Sequence, residues 1–343
     1  MKAVRKLKPG VGFEVADIGV PKPGEGEVLI KVRATSICGT DVHIYNWDPP
    51  WSQGRFVPPK TMGHEVCGEV AETGGGVKGL QEGDLISAES HIYCGKCDQC
   101  MAGNSHICEK LKFFSIDTDG FWAEYALLPE QNAWKNPEGM DPEIATLQES
   151  MGNSVYTVQE SNVRGKAVAI FGLGPTGLFA TGIAKALGAG KVMVIGGTKT
   201  HLDIAKKMKA DVLINRHDGD PVKQILEHTE GKGPDVVLEM SGAEQAIQQA
   251  LQVVKPTGAV TALGLPTKPI ALDIAKNIVL KDLTFRGIYG RKIWDTWKIT
   301  SDLLHKKGLD IRPVITHRIR LDDFEKGIEA MKSGQSGKVV MRP

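Results

Sequence analysis

Lys166-Ala167-Val168-Ala169-Ile170-Phe171-Gly172-Leu173-Gly174-Pro175-Thr176-Gly177 is the stretch that decides the fold. An apolar strand runs into G-x-G-x-x-G, and a helical pattern follows over residues 176–187. The glycine spacing alone is weak, because 40 of the 343 residues are glycine. Its placement between strand and helix is informative. The first glycine suits a tight turn, the second a close backbone approach to pyrophosphate, and the third the packing of helix on strand. The pyrophosphate would lie on the helix N-terminus. Gly172, Gly174, Pro175, Thr176 and Gly177 are therefore candidate cofactor contacts. The competing reading is a strand–helix turn with no ligand.

Downstream, residues 191–195 (KVMVI), 235–239 (DVVLE), 259–263 (AVTAL) and 283–288 (LTFRGI) read as strands, and 201–208 and 244–254 as helices. Strands alternating with helices predict a parallel sheet covered on both faces. A dinucleotide site expects an acidic residue about 20 positions on, to hold the ribose 2′-hydroxyl of NAD. Here the chain reads Ile195-Gly196-Gly197-Thr198-Lys199-Thr200-His201, with Gly196 where the acid belongs. Losing that carboxylate removes repulsion against a 2′-phosphate, which Thr198, Lys199 and Thr200 could hydrogen-bond. The expected cofactor is NAD(P), with a slight preference for NADP. The alternative is a solvated Lys199 and looser NAD binding.

Upstream, residues 27–34 (EVLIKVRA), 66–73 (VCGEVAET) and 124–128 (EYALL) read as short strands punctuated by Gly and Pro. Beyond about residue 291 come an amphipathic stretch (297–306), a helix (321–333) and a closing strand (337–341). The domain expectation is 1–150 plus a C-terminal return over 292–343, with 151–291 as the dinucleotide-binding domain.

Cys94, Cys97, Cys100 and Cys108 form C-x2-C-x2-C-x7-C. Four thiolates this close suit a closed, structural Zn²⁺ site. The bacterial ferredoxin run instead has three residues before its last cysteine and a proline after it, whereas Glu109 follows here. A nucleic-acid-binding zinc module is disfavoured by the balanced charge, and four unconnected cysteines by their density. A second group comprises Cys38, in Cys38-Gly39-Thr40-Asp41-Val42-His43, and Gly63-His64-Glu65. A catalytic zinc takes three protein ligands and keeps one position open. Cys38 and His64 supply sulfur and nitrogen, and Glu65 or Glu149 the third ligand, possible in exchange. Singly, each of these residues is more often packing or surface charge. Cys67 lies in an apolar strand and reads as core.

These blocks, in this order, resemble those of zinc-containing medium-chain alcohol dehydrogenases over nearly the whole chain. The resemblance implies an α/β fold: a β-rich GroES-like catalytic domain with a structural zinc lobe, plus a Rossmann domain. It implies two zinc ions per chain and a homotetramer. The stretches 34–45, Ser90-His91-Ile92-Tyr93-Cys94-Gly95, 116–120, Glu149-x2-Gly152-Asn153 and Gly290-Arg291-Lys292 are most similar to those of L-threonine 3-dehydrogenases. That likeness implies oxidation of the threonine β-hydroxyl to 2-amino-3-oxobutanoate, with Glu149 close to zinc and His91 near the substrate. Ser150 and Tyr156 depart from the Pro and His of that family, which leaves polyols and short secondary alcohols as alternatives. The proton is expected to leave through Thr40, a ribose hydroxyl and then His43, whose unperturbed pKa of roughly 6.5 suits a relay. A nucleotide-binding protein that lost catalysis is the non-enzyme alternative, which the intact Cys38, His64 and Glu65 disfavour.

The bulk composition excludes other classes. With 42 basic and 41 acidic residues, the net charge is +1, and no basic block marks a nucleic-acid binder. No apolar run approaches the roughly 18–20 residues that span a bilayer. The first eight residues are charged without an apolar region behind them, so the expectation is a cytoplasmic protein without a signal peptide. The expected partner is a small-molecule alcohol.

Overall fold

The apolar runs that frame the glycine turn lie side by side. Ala167–Phe171 pairs in parallel with Lys191–Gly196, placing Phe171 opposite Ile195. The computed structural model describes residues 1–343. Six parallel strands follow the spatial order Val212–Asn215, Lys191–Gly196, Ala167–Phe171, Val236–Glu239, Ala259–Ala262, Thr284–Gly287. In chain order this is 3-2-1-4-5-6, the doubly wound arrangement, with its switch point between Ala167–Phe171 and Val236–Glu239. The sheet packs a core of Phe171, Met193, Ile214, Val237 and Val260. Such near-continuous apolar strands are what a sheet buried on both faces requires. This is the α/β Rossmann unit expected from the sequence.

The β-rich part is organised by one long strand, Glu27–Ile37. It pairs antiparallel with Val66–Thr73, Tyr125–Pro129 and the C-terminal Lys338–Arg342. Two further strands, Leu85–Ala88 and Ala133–Lys135, extend one side, and Ile315–Arg320 closes the other to make seven. Its aromatic core gathers Phe13, Trp122 and Phe324.

The chain divides into one unit of Met1–Glu149 with Ile315–Pro343 and a second of Ser150–Val314. The first boundary lies one residue from the expected position. The return begins later than the residue 292 expected from the sequence. Helix Asp295–His305 belongs to the Rossmann unit, where Trp297 and Leu303 are buried and Leu309 beyond it packs toward Gly182. Amphipathic periodicity marks an apolar face but not which sheet that face covers.

Candidate active site

Cys38 directly follows strand Glu27–Ile37 and occupies the N-cap of helix Gly39–Asn46. His64 and Glu65 precede strand Val66–Thr73, which pairs with that long strand through Thr35 and Val66. The pairing brings one ligand atom each of Cys38, His64 and Glu65 within 4.8 Å of one another. Tetrahedral zinc with bonds of about 2.0–2.3 Å needs ligand atoms spaced by roughly 3.3–3.8 Å. The donor set therefore fits a divalent cation after small side-chain adjustments.

Two residues not singled out from the sequence complete the site. Asp41 is fully buried. Its Oδ2 accepts a hydrogen bond from the Cys38 N–H at 2.9 Å, while Oδ1, otherwise without a hydrogen-bond partner, sits 3.6 Å from His64 Nδ1. A carboxylate on one ring nitrogen orients the imidazole for a metal on the other. Burial works against a charge on His64, yet Asp41 and Cys38 hold its pKa well above the ordinary histidine range. A proton or a divalent cation answers the same negative surroundings. Lys338 comes from 273 residues away and donates from Nζ to both Glu65 oxygens at 2.5 Å. Ser36 Oγ also donates to Glu65 Oε2. Burial pushes the Glu65 pKa up, but Lys338 and His64 outweigh it and bring it below the usual carboxylate value. The Cys-Gly-Thr-Asp motif carried a local signal for Asp41. Lys338 had none, because only sheet register places it there.

Glu149 opens helix Gln148–Glu160 and is buried, accepting a hydrogen bond from Ser90 Oγ at 2.5 Å. It lies outside the group formed by Cys38, His64 and Glu65, although its charge acts on Lys338. His91 is buried. Its Nδ1 lies 2.9 Å from Glu89 Oε1, and its ring meets Phe113 edge-on. Asn132 donates to the carbonyls of both Glu89 and His91. Thr40 and His43 share helix Gly39–Asn46. The His43 side chain is 57% exposed, and its Nδ1 is 3.0 Å from Asp48 Oδ2. In the second unit, Arg291 Nη1 donates to Asn153 Oδ1 at 3.1 Å, joining two of the stretches singled out in the sequence.

The four lobe cysteines bring their sulfurs within 4.8 Å of one another. Cys108 Sγ lies 3.5 Å from Cys94 Sγ and 3.7 Å from Cys97 Sγ. Zn–S bonds of about 2.3 Å imply tetrahedral edges of roughly 3.8 Å. The backbone N–H groups of Cys94 and Lys110 each lie 3.3 Å from the Cys108 sulfur as donors. The N–H groups of Lys96 and Cys97 bring the Cys94 thiol down to about 6. Thiolate is the form a metal binds, so the lobe also fits zinc. Cys67 is buried in the strand with its thiol pKa pushed up by burial.

The glycine turn is built for close backbone approach. Gly172 has φ +93°, and a Cβ there would fall 2.7 Å from Ser241 Cβ. A Cβ on Gly177 would fall 1.9 Å from the Gly172 carbonyl oxygen. Gly174 caps helix Pro175–Ala186, with Pro175 in its first turn, and a Cβ there would meet nothing within 4 Å. The open space beside Gly174, at the N-terminus of that helix, leaves room for an incoming pyrophosphate. Ser154 Oγ donates to the Thr176 carbonyl at 2.8 Å. At the end of the next strand, Thr198 caps helix Lys199–Lys207, and Lys199 Nζ pairs with Asp203 at 2.6 Å.

Comparison with known proteins agrees with this anatomy. Residues 24–138 match the alcohol dehydrogenase GroES-like domain, and residues 175–306 match the zinc-binding dehydrogenase domain. The chain belongs to the zinc-binding alcohol dehydrogenase family. The L-threonine 3-dehydrogenase of Pyrococcus horikoshii is 50% identical over 341 residues, covering 99% of this chain and 98% of that one. The L-threonine 3-dehydrogenase of Bacillus licheniformis is 47% identical, covering 100% and 99%. Among solved structures, a zinc-binding dehydrogenase from Sinorhizobium meliloti bound to NADP superposes with a TM-score of 0.92 at 30% identity, covering 100% and 99%. No helix is long and apolar enough to cross a membrane.

Proposed function

We propose that this dehydrogenase oxidises the β-hydroxyl of L-threonine to 2-amino-3-oxobutanoate, using NAD(P) with a slight preference for NADP. The observation that carries the chemistry is the convergence of Cys38, His64 and Glu65, flanked by Asp41 and Lys338. The substrate rests on full-length relatives of about half identical sequence. Zinc held by Cys38, His64 and Glu65 would supply Lewis acidity toward the alcohol oxygen, and a nicotinamide cofactor on the Gly172–Gly177 turn would supply the hydride acceptor.

The residues divide the remaining work. Cys38, His64 and Glu65 hold the metal, with Glu149 as a nearby carboxylate able to exchange. Asp41 fixes the His64 ring, and Lys338 balances the Glu65 charge. The departing hydroxyl proton would pass through Thr40, a ribose hydroxyl and then His43 to solvent. The exposed His43 ring, braced by Asp48, suits that exit. Glu149 and the Glu89–His91 pair offer a polar, anionic lining to the α-ammonium group of an amino acid. Cys94, Cys97, Cys100 and Cys108 hold a second, structural zinc. Gly172, Gly174, Pro175, Thr176 and Gly177 receive the pyrophosphate, and Gly196 and Thr198 border the adenosine ribose, while Lys199, the other candidate from the sequence, is paired with Asp203. The resemblance to the family favours a homotetramer, and the exposed edge strand Thr284–Gly287, with Phe285 on it, offers an open edge at which a second copy could pair.

Ser150 and Tyr156, in place of the family's Pro and His, favour a second reading, a polyol or short secondary alcohol. The deciding experiment follows reduced-nicotinamide absorbance with L-threonine, polyols and short secondary alcohols, each with NAD and NADP. Light scattering gives the subunit count. The highest kcat/KM for L-threonine is expected, and a polyol exceeding it tenfold would reverse the assignment.

A further inference from the structure

The end of strand Lys191–Gly196 is where a dinucleotide fold meets the adenosine ribose. Its two glycines are packed, not open. A Cβ on Gly196 would lie 2.7 Å from Leu173 Cδ1, so the turn's own leucine takes the space where an acidic side chain would start. A Cβ on Gly197 would lie 2.6 Å from Arg216 Nε and 3.0 Å from both Cζ and Nη2. The Arg216 guanidinium therefore lies against the bare backbone of Gly197. It is anchored from below, since the Arg216 N–H donates to the Gly196 carbonyl at 2.9 Å, continuing the pairing of Gly196 with Asn215. The side chain is exposed, and its one hydrogen bond runs from Nε to His217 Nε2 at 3.4 Å. It pairs with no carboxylate. Lys199 differs in this respect. Its ammonium pairs with Asp203 at 2.6 Å and its side chain is 87% exposed.

We propose that Arg216 is the residue that selects NADP, its guanidinium receiving the 2′-phosphate beside Gly196 and Gly197, and that Lys199 is not. The inference rests on the reading that the Gly172–Gly177 turn binds the dinucleotide. A planar fork of N–H donors matches phosphate oxygens in a way a point charge does not. The 2′-hydroxyl of NAD offers the same guanidinium no charge to pair with.

The test measures binding to the zinc-loaded enzyme without turnover. NADPH and NADH are titrated by nicotinamide fluorescence, and 2′,5′-ADP and 5′-ADP by thermal shift, for wild type, Arg216→Ala and Lys199→Ala. Wild type is expected to favour NADPH and to be stabilised more by 2′,5′-ADP than by 5′-ADP. Arg216→Ala should weaken NADPH by about ten- to a hundredfold, as expected for a lost charge-assisted contact. NADH affinity should stay within about twofold, and the melting temperature without ligand should not move. Lys199→Ala should change NADPH affinity by less than about threefold. An equal loss for both coenzymes, no loss in Arg216→Ala, or the loss appearing in Lys199→Ala instead would overturn the assignment of Arg216. A folded wild type that binds neither coenzyme would overturn the dinucleotide reading itself.

Discussion

The two cysteine-bearing sites differ in how the chain assembles them. The lobe gathers Cys94, Cys97, Cys100 and Cys108 from one short segment, with four identical donors and backbone N–H groups around the sulfurs. The other site joins a strand end, a loop and, through Lys338, the C-terminal strand. Its donors are mixed, and their charge is balanced by groups remote in sequence. A closed set of four thiolates leaves a metal no open position, whereas three mixed donors leave one for a substrate oxygen. On the proposed reading, the first arrangement serves stability and the second serves chemistry.

The contrast can be broken most directly at the sulfurs. Cys38→Ser should lower kcat by about 10³-fold or more, as expected when the electrophilic centre is lost, with the melting temperature nearly unchanged. Zinc analysis should fall from two ions per chain to one. Equal zinc content and full turnover would refute the assignment. Lys338→Met leaves Glu65 buried without its counter-charge, and breaking such a pair costs about 3–5 kcal/mol. Denaturant unfolding should register that loss, with Lys338→Arg recovering most of it. Cys97→Ser should also lower zinc to one per chain, but its main effect should be on stability. About 3 kcal/mol, on the order of 10 °C, is expected, with residual turnover per folded molecule. A kcat loss matching that of Cys38→Ser would erase the distinction between the sites.

Asp41→Asn keeps the shape but removes the charge beside His64, and should weaken zinc affinity at the Cys38 site by roughly 10- to 100-fold. Competition with a chelator reads this, and the lobe zinc should be unaffected.

The smallest effect concerns the root of the lobe, where Lys112–Phe113 pairs with His91–Ile92. Asp117 accepts hydrogen bonds there from the Phe113 N–H and from Arg55. Burial pushes its pKa up, but Arg55 and the Phe113 N–H outweigh this and hold it below the ordinary value. A carboxyl lowered on folding contributes stability above its unfolded pKa and loses it as pH falls through the folded one. Asp117→Asn should therefore melt below wild type at pH 7, by at most about 1 kcal/mol. The gap should close as the pH drops below about 4. A gap that persists at pH 2 would assign the loss to packing instead.

Several elements were legible because local spacing determines them. The turn from Phe171 to Gly177 announced its strand and its helix, which the structure places at Ala167–Phe171 and Pro175–Ala186. The lobe could be read because short spacings force its sulfurs together. Helices Gly39–Asn46 and Gln148–Glu160 were not identified. The first is short and has little amphipathic contrast, and the second carries polar residues that tertiary packing buries, among them Ser154 and Thr157. The late return at Ile315 was missed because the pattern of Trp297 and Leu303 fits either sheet.

What the amino-acid order determined by itself is the inventory: thiolates at zinc spacing, a glycine turn between strand and helix, and a strand end without an acid. The tertiary structure decided the partners. Glu65 joins Cys38 and His64, Lys338 neutralises it from the far end of the chain, and Leu173 and Arg216 fill the space around Gly196 and Gly197. The physical reason is range. Local spacing confines atoms within a turn or two, whereas charge balance and steric filling depend on strand register, which sets residues hundreds of positions apart side by side.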